Sequence, residues 1–271
     1  MGLIPINTRA DTYQIKTEHI YFSALIDNKS YRLEAMIYTP LDNRTQHSLI
    51  IMTHGRHGPL PKVDEHEVFH YQSLCKALAE RGYLVMMLVR RGYGNSEGPD
   101  SEFLDTPEES GLAGAKDIRG AINYMITNSG ITKDRIVIIG QSQGGWVSLA
   151  SSTLDINGIR GIVNISGATN FGLAKGKSFR SFEVESALEN SAKYFGTICR
   201  VPALWIYAEN DNHSPDAVNR WFNSFIKAGG KGKLIIKPPY KDNGHAIVNE
   251  PDLYIDDIIN FFEEIGFRNT N

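Results

Sequence analysis

Cysteine is scarce in this chain: Cys75 and Cys199 are the two among 271 residues. Two thiols cannot form the framework of a disulfide-stapled domain. Cys75 falls in a helical pattern and Cys199 just before an apolar strand, so both read as reduced, buried thiols; the sequence alone leaves one disulfide open. Long apolar runs are missing too, and with them any candidate membrane-spanning helix. Net charge is nearly absent. The 28 Lys+Arg against 31 Asp+Glu leave −3, which argues against the basic surface that nucleic acid or an anionic membrane would require. The short basic clusters Arg90–Arg91 and Lys231–Gly232–Lys233 are expected on the solvated surface. Met1–Gly2–Leu3–Ile4–Pro5 lacks a charged start followed by an apolar run, so no signal peptide is expected. A cytoplasmic location follows from that reading; a periplasmic or secreted one stays open should a native leader have been removed.

What is present is an ordinary globular composition, 41% hydrophobic and 22% charged, on a chain long enough to bury a core without disulfide or metal. One domain over 1–271 is expected, with room for a small cap or loop insertion at about 167–193, where the sequence turns polar and glycine-rich. The opening segments, 14–24 and 31–39, alternate as antiparallel strands around the turn residues Asp27–Asn28–Lys29. From there, short apolar strands at 48–53, 83–89, 135–139, 161–165, 201–208 and 233–237 are separated by helical patterns at 67–81, 111–128, 143–154, 217–228 and 253–265. Near-continuous apolar strands interleaved with helices predict an α/β fold: about eight strands, mostly parallel, with helices on both faces and a minimal cap.

Three positions carry the candidate chemistry. Gly140-Gln141-Ser142-Gln143-Gly144 fits G-x-S-x-G. Chance alone supplies such a match in ~0.16 of chains of this composition, so the pattern gains its weight from context. It lies between the strand RIVII and a helix, as a strand–turn–helix nucleophile elbow demands. A serine hydroxyl needs a positioned base. His245, in the loop after the strand KLIIK, follows Ser142 at the edge of the sheet where sites in open α/β sheets gather. Asp211, just past the strand VPALWIYA, can orient that base, with Glu209 and Asp216 as rivals. Donors for a developing oxyanion are expected from the backbone N–H of Gln143 and of Arg56, the latter in His54-Gly55-Arg56-His57. His57 and His213 are candidate substrate contacts.

A competing pattern is His66-Glu67-Val68-Phe69-His70, which matches the zinc motif H-E-x-x-H. Chance supplies it in only ~0.014 of such chains. Its place at the first turn of a helix beside a Gly/Pro loop, without an evident third ligand, speaks for an acidic helix start instead. No metal is therefore expected.

These residues resemble the α/β-hydrolase superfamily from about Leu33 to Phe267. Tyr207-Ala208-Glu209-Asn210-Asp211 and Asn243-Gly244-His245 are similar to the acid and histidine motifs of the dienelactone hydrolase family. That family carries cysteine at the nucleophile position, where this chain has Ser142, so the resemblance implies a general esterase-like relative. Arg90 to Gly98 looks like the loop after the fourth strand in many superfamily members, including the X-prolyl peptidase and cocaine esterase group. The resemblance implies hydrolysis of a small-molecule ester, with amide or peptide cleavage second, and no metal or organic cofactor. A non-catalytic hydrolase-like binding protein and a zinc hydrolase at His66 and His70 are the competing classes. The oligomeric state is open.

Overall fold

The computed structural model describes residues 12–56, 71–101, 104–129, 131–154, 156–171, 176–178 and 180–268 (the backbone alone for Thr132). The chain opens with a long hairpin, β1 (Ile15–Ile26) and β2 (Lys29–Pro40), turned by Asp27 and Asn28 at positive φ. These are residue types that accept a left-handed backbone. Alternation then gives way to β3 (His47–Thr53), α1 (Gln72–Ala79), β4 (Leu84–Val89), α2 (Pro107–Asn128), β5 (Ile131–Gln141), α3 (Gln143–Ser151) and β6 (Ile159–Ile165). The chain continues with α4 (Phe182–Ile198), β7 (Ala203–Ala208), α5 (Pro215–Lys227), β8 (Gly232–Lys237) and α6 (Ile255–Glu264).

The eight strands form one sheet in the order β1-β2-β4-β3-β5-β6-β7-β8. β1 and β2 pair antiparallel, β2 meets β4 antiparallel, and every pairing from β4 to β8 is parallel. β4 and β7 are buried at every position, because helices cover both faces. One face carries α2 to α5 over a core built around Trp146, Trp205 and Trp221. The other carries α1 and α6 over Leu74, Leu78, Ile258 and Phe262. Strand order reverses at β3, which lies between β4 and β5. The crevice beyond the carboxyl ends of such strands is where open α/β sheets place ligands.

Element boundaries depart from the sequence reading at two informative places. α2 begins one turn before the expected 111, at Pro107. Thr106 caps it, accepting from the Glu109 N–H at 3.1 Å while the Glu109 carboxylate accepts from the Thr106 N–H at 3.2 Å. This reciprocal pair satisfies two orphan helix donors. α4 is absent from the expected elements altogether. Its Val184, Leu188, Ala192 and Phe195 form a buried stripe in the tryptophan core, and Ser181 caps its start. Cys75 and Cys199 are both free and buried.

Candidate active site

The turn from β5 into α3 is so tight that Ser142 adopts φ 54°, ψ −123°, a backbone that non-glycine residues enter only under strain. Close approach explains the flanking glycines. A Cβ on Gly140 would lie 2.1 Å from the Gly144 carbonyl oxygen, and one on Gly144 2.4 Å from that of Thr53. The turn lifts the Ser142 hydroxyl above the sheet at the N-terminus of α3, whose free N–H groups favour negative charge.

His245 is brought to that hydroxyl by its loop. The loop is a short 3₁₀ turn, Gly244–Asn249, rather than an irregular stretch. The Asn243 carboxamide accepts from the His245 N–H at 2.9 Å, and the Gln141 amide donates to the His245 carbonyl at 3.1 Å. Asn210 ties this loop to the one holding Asp211. Its carbonyl accepts from the Gly244 N–H at 3.1 Å, and its amide donates to the Lys241 carbonyl at 2.9 Å. Backbone and side chain together therefore fix the ring. His245 Nε2 lies 2.9 Å from Ser142 Oγ, and Nδ1 lies 3.0 Å from Asp211 Oδ1.

Chemistry assigns the protons. An ionised carboxylate only accepts, so Nδ1 carries the hydrogen and Nε2 is left to accept from the serine hydroxyl. Asp211 is 1% exposed. Burial acts to raise its carboxyl, but the hydrogen bond and charge of His245 hold it below the ordinary value of 3.8. Glu209 and Asp216, the rival acids, are exposed, and Asp216 lies in the first turn of α5, which Ser214 caps.

A cleft of about 170 Å³ opens on Ser142 and His245, lined by Arg56, Ala168, Thr169, Asn170, Asn212 and His213. His213, an expected substrate contact, is buried against Trp221 with ring centroids 4.9 Å apart. Burial drives its pKa down to about 4, against the pull of Asp211. Of the expected oxyanion donors, Gln143 follows Ser142 directly in the chain and Arg56 lines the same cleft. Gly55, next to Arg56, passes so close that a Cβ there would sit 2.8 Å from the serine Cβ. His57, and the His66, Glu67 and His70 of the zinc-like motif, lie outside the described residues. Among the described residues no group of three or more His, Cys, Asp or Glu is placed to hold a metal ion, and no helix is long and apolar enough to cross a membrane.

One expectation is corrected. Arg90 and Arg91 are not on the solvated surface; both are buried. Arg91 is neutralised by Asp117, which accepts from its backbone N–H at 2.9 Å and from Nε at 2.5 Å. Arg90 donates to Thr53 Oγ1 at 2.7 Å, to the His54 carbonyl and to Gln143 Oε1. Tyr71, Arg90, Tyr93 and Asp100 were not expected at the site from the sequence, where Arg90 and Tyr93 stood only in the loop after the fourth strand, yet their side chains bond to those around Ser142.

The sheet order, the serine elbow and the placement of both polar loops at the carboxyl ends of the strands define the α/β-hydrolase fold. The chain matches the family model described as serine aminopeptidase, S33, over residues 46–198, and belongs to that family. Asp211 and His245 lie beyond the matched segment. An Escherichia coli O157:H7 relative, uncharacterized protein YfhR, is 27% identical over 228 residues, 82% of this chain and 72% of that protein. Among solved structures, a Klebsiella pneumoniae protein described as a dienelactone hydrolase superposes with TM-score 0.63 at 14% identity, covering 93% of this chain and 100% of the other. The Pyrococcus furiosus esterase Pf2001 superposes with TM-score 0.65 at 16% identity, covering 91% and 92%. Both likenesses are of the α/β-hydrolase fold alone.

Proposed function

We propose that this chain is a serine hydrolase of small carboxylic esters working through an acyl-enzyme. The observation that carries this reading is the unbroken line from Ser142 Oγ through the His245 ring to Asp211, at 2.9 and 3.0 Å. As Ser142 Oγ bonds to the acyl carbon, its proton passes to His245 Nε2. The carbonyl oxygen gains the negative charge, facing the backbone N–H groups of Gln143 and Arg56. Asp211 holds the resulting imidazolium. Collapse of the tetrahedral species expels the alcohol, which takes the proton from His245. Water then gives a proton to His245 and attacks the acyl carbon, and Ser142 leaves reprotonated.

Cleavage of amides is the second reading, favoured by the aminopeptidase description of the family. A fluorophosphonate probe and a panel of p-nitrophenyl esters, set beside aminoacyl p-nitroanilides, test both. The expected result is labelling at Ser142, ester turnover that survives a chelator, and loss of both labelling and turnover in Ser142→Ala. Folded protein that does not label favours a binding role, and turnover abolished by chelator favours zinc at His66 and His70. Anilides cleaved faster than esters would favour the peptidase.

A further inference from the structure

The two residues whose backbone N–H groups face the oxyanion in the proposed reaction, Gln143 and Arg56, have side chains that meet in one polar cluster. Gln143 Oε1 accepts from Arg90 Nη2 at 2.5 Å and lies 2.8 Å from the Tyr93 hydroxyl. Arg56 Nη1 donates to the same Tyr93 hydroxyl at 3.2 Å and pairs with the Asp100 carboxylate. Asp100 Oδ1 stands 3.0 Å from that hydroxyl. Arg90 and Arg56 both sit over the Tyr93 ring, at 5.1 and 5.6 Å from its centroid. Arg90, Tyr93 and Gln143 are buried. The Tyr93 oxygen thus lies within hydrogen-bond distance of both the Gln143 and the Arg56 side chain.

We propose that Tyr93, with Arg90 and Asp100, is a positioning device that sets the spacing of the two oxyanion donors. This inference rests on the serine hydrolase reading. Gln143 begins α3, after β5. Arg56 follows β3. Tyr93 follows β4 and its hydroxyl bridges the two side chains, so the two donors belong to separate loops that hydrogen bonds hold to one another. Such a link matters because donors stabilise an oxyanion only within about 2.7–3.1 Å of it, and a misplacement of about 1 Å costs up to ~10²-fold in rate.

Tyr93→Phe tests it, since the ring contacts with both arginines and with His54, at 4.7 Å, are retained and only the hydroxyl is lost. Ser142 is titrated with the fluorophosphonate, and ester turnover is expressed per titrated site. The expected result is kcat per site roughly 10- to 100-fold lower with KM little changed. The Ki of a boronic acid, which forms a tetrahedral adduct on the serine, is expected to rise by the same factor as kcat/KM falls. If turnover per site is unchanged while the titratable fraction or Tm falls, the hydroxyl is merely structural and the proposal is overturned. If the unaltered protein neither labels nor hydrolyses esters, the hydrolase reading itself fails and this one goes with it. Should Tyr93→Phe not fold, Asp100→Asn loosens the same bridge from its more exposed end, and the same outcomes decide.

Discussion

His213 makes the stability of this protein depend on pH. In the unfolded chain its ring takes a proton near 6.5; in the folded protein burial beside Trp221 delays that to about 4. Between those values the unfolded chain holds a proton that the folded one does not, so lowering the pH favours unfolding. At about 1.36 kcal/mol per pH unit of separation, the loss is roughly 1 kcal/mol by pH 5.5, roughly 2–3 kcal/mol by pH 4.5 and about 3 kcal/mol in full. Asp211 acts in a different window. Its carboxyl is held below 3.8, so its contribution is present above that value and is lost only at lower pH. The test is urea unfolding of the unaltered protein and of His213→Asn at intervals from pH 7.5 to 4.5. The stability difference between them should shift by roughly 2–3 kcal/mol across that range, in favour of the variant as the pH falls. A difference that stays flat would mean the ring is not kept neutral by burial, and the argument would be wrong.

Three further outcomes are expected. Ser142→Gly should abolish ester turnover yet stabilise the fold by roughly 1 kcal/mol, the relieved strain of a residue at φ 54° less the added chain entropy of glycine; urea unfolding checks it, and a variant no more stable than its parent would remove strain from the elbow. Asp211→Asn should leave KM within a few-fold and lower kcat by about 10⁴, because an amide no longer enforces the tautomer that leaves Nε2 free to accept; steady-state kinetics on a p-nitrophenyl ester decides. Arg91→Met should cost about 3–5 kcal/mol at pH 7, since it strands the buried Asp117 carboxylate. Burial already pushes that carboxyl up, so the cost should shrink as acid protonates it, and Asp117→Asn in the same chain should recover part of the loss.

Much of this site could be read from residue order because the chemistry is tied to strand ends. Ser142 follows β5 at once, Asp211 lies just past β7, and His245 sits in the loop after β8. Parallel strands separated by helices deliver their carboxyl ends to one edge, so topology brings three distant residues to one rim of the sheet. α4 was illegible for the opposite reason. Its core stripe of Val184, Leu188, Ala192 and Phe195 is spaced every four, four and three residues, but it follows a polar, glycine-rich stretch that obscures its start. The burial of Arg90 and Arg91 could not be read locally either. A pair of arginines looks solvated until its partners are known. Those partners come from far along the chain: Asp117 is 26 residues from Arg91, and Thr53 and Gln143 are 37 and 53 from Arg90.

Strand register explains how Arg90 reaches those partners at once. Thr53, the last residue of β3, pairs with Leu88 of β4 on one side and with Gly140 of β5 on the other. The three strands therefore end at one level, and the segments that follow, His54 to Arg56, Arg90 to Tyr93 and Ser142 to Gln143, emerge side by side. A slip of one residue between β3 and β4 would turn Ile50 and Met52 from the α1–α6 core to the tryptophan core, and Leu49 and Ile51 the other way. It would also carry Arg90 about 3.3 Å along the strand, out of hydrogen-bond range of the His54 carbonyl. Core packing and site geometry thus depend on one register. An overpacked substitution at Ile50 or Ile51 is accordingly expected to lower turnover per titrated Ser142 as well as stability, although neither residue lies within the cleft.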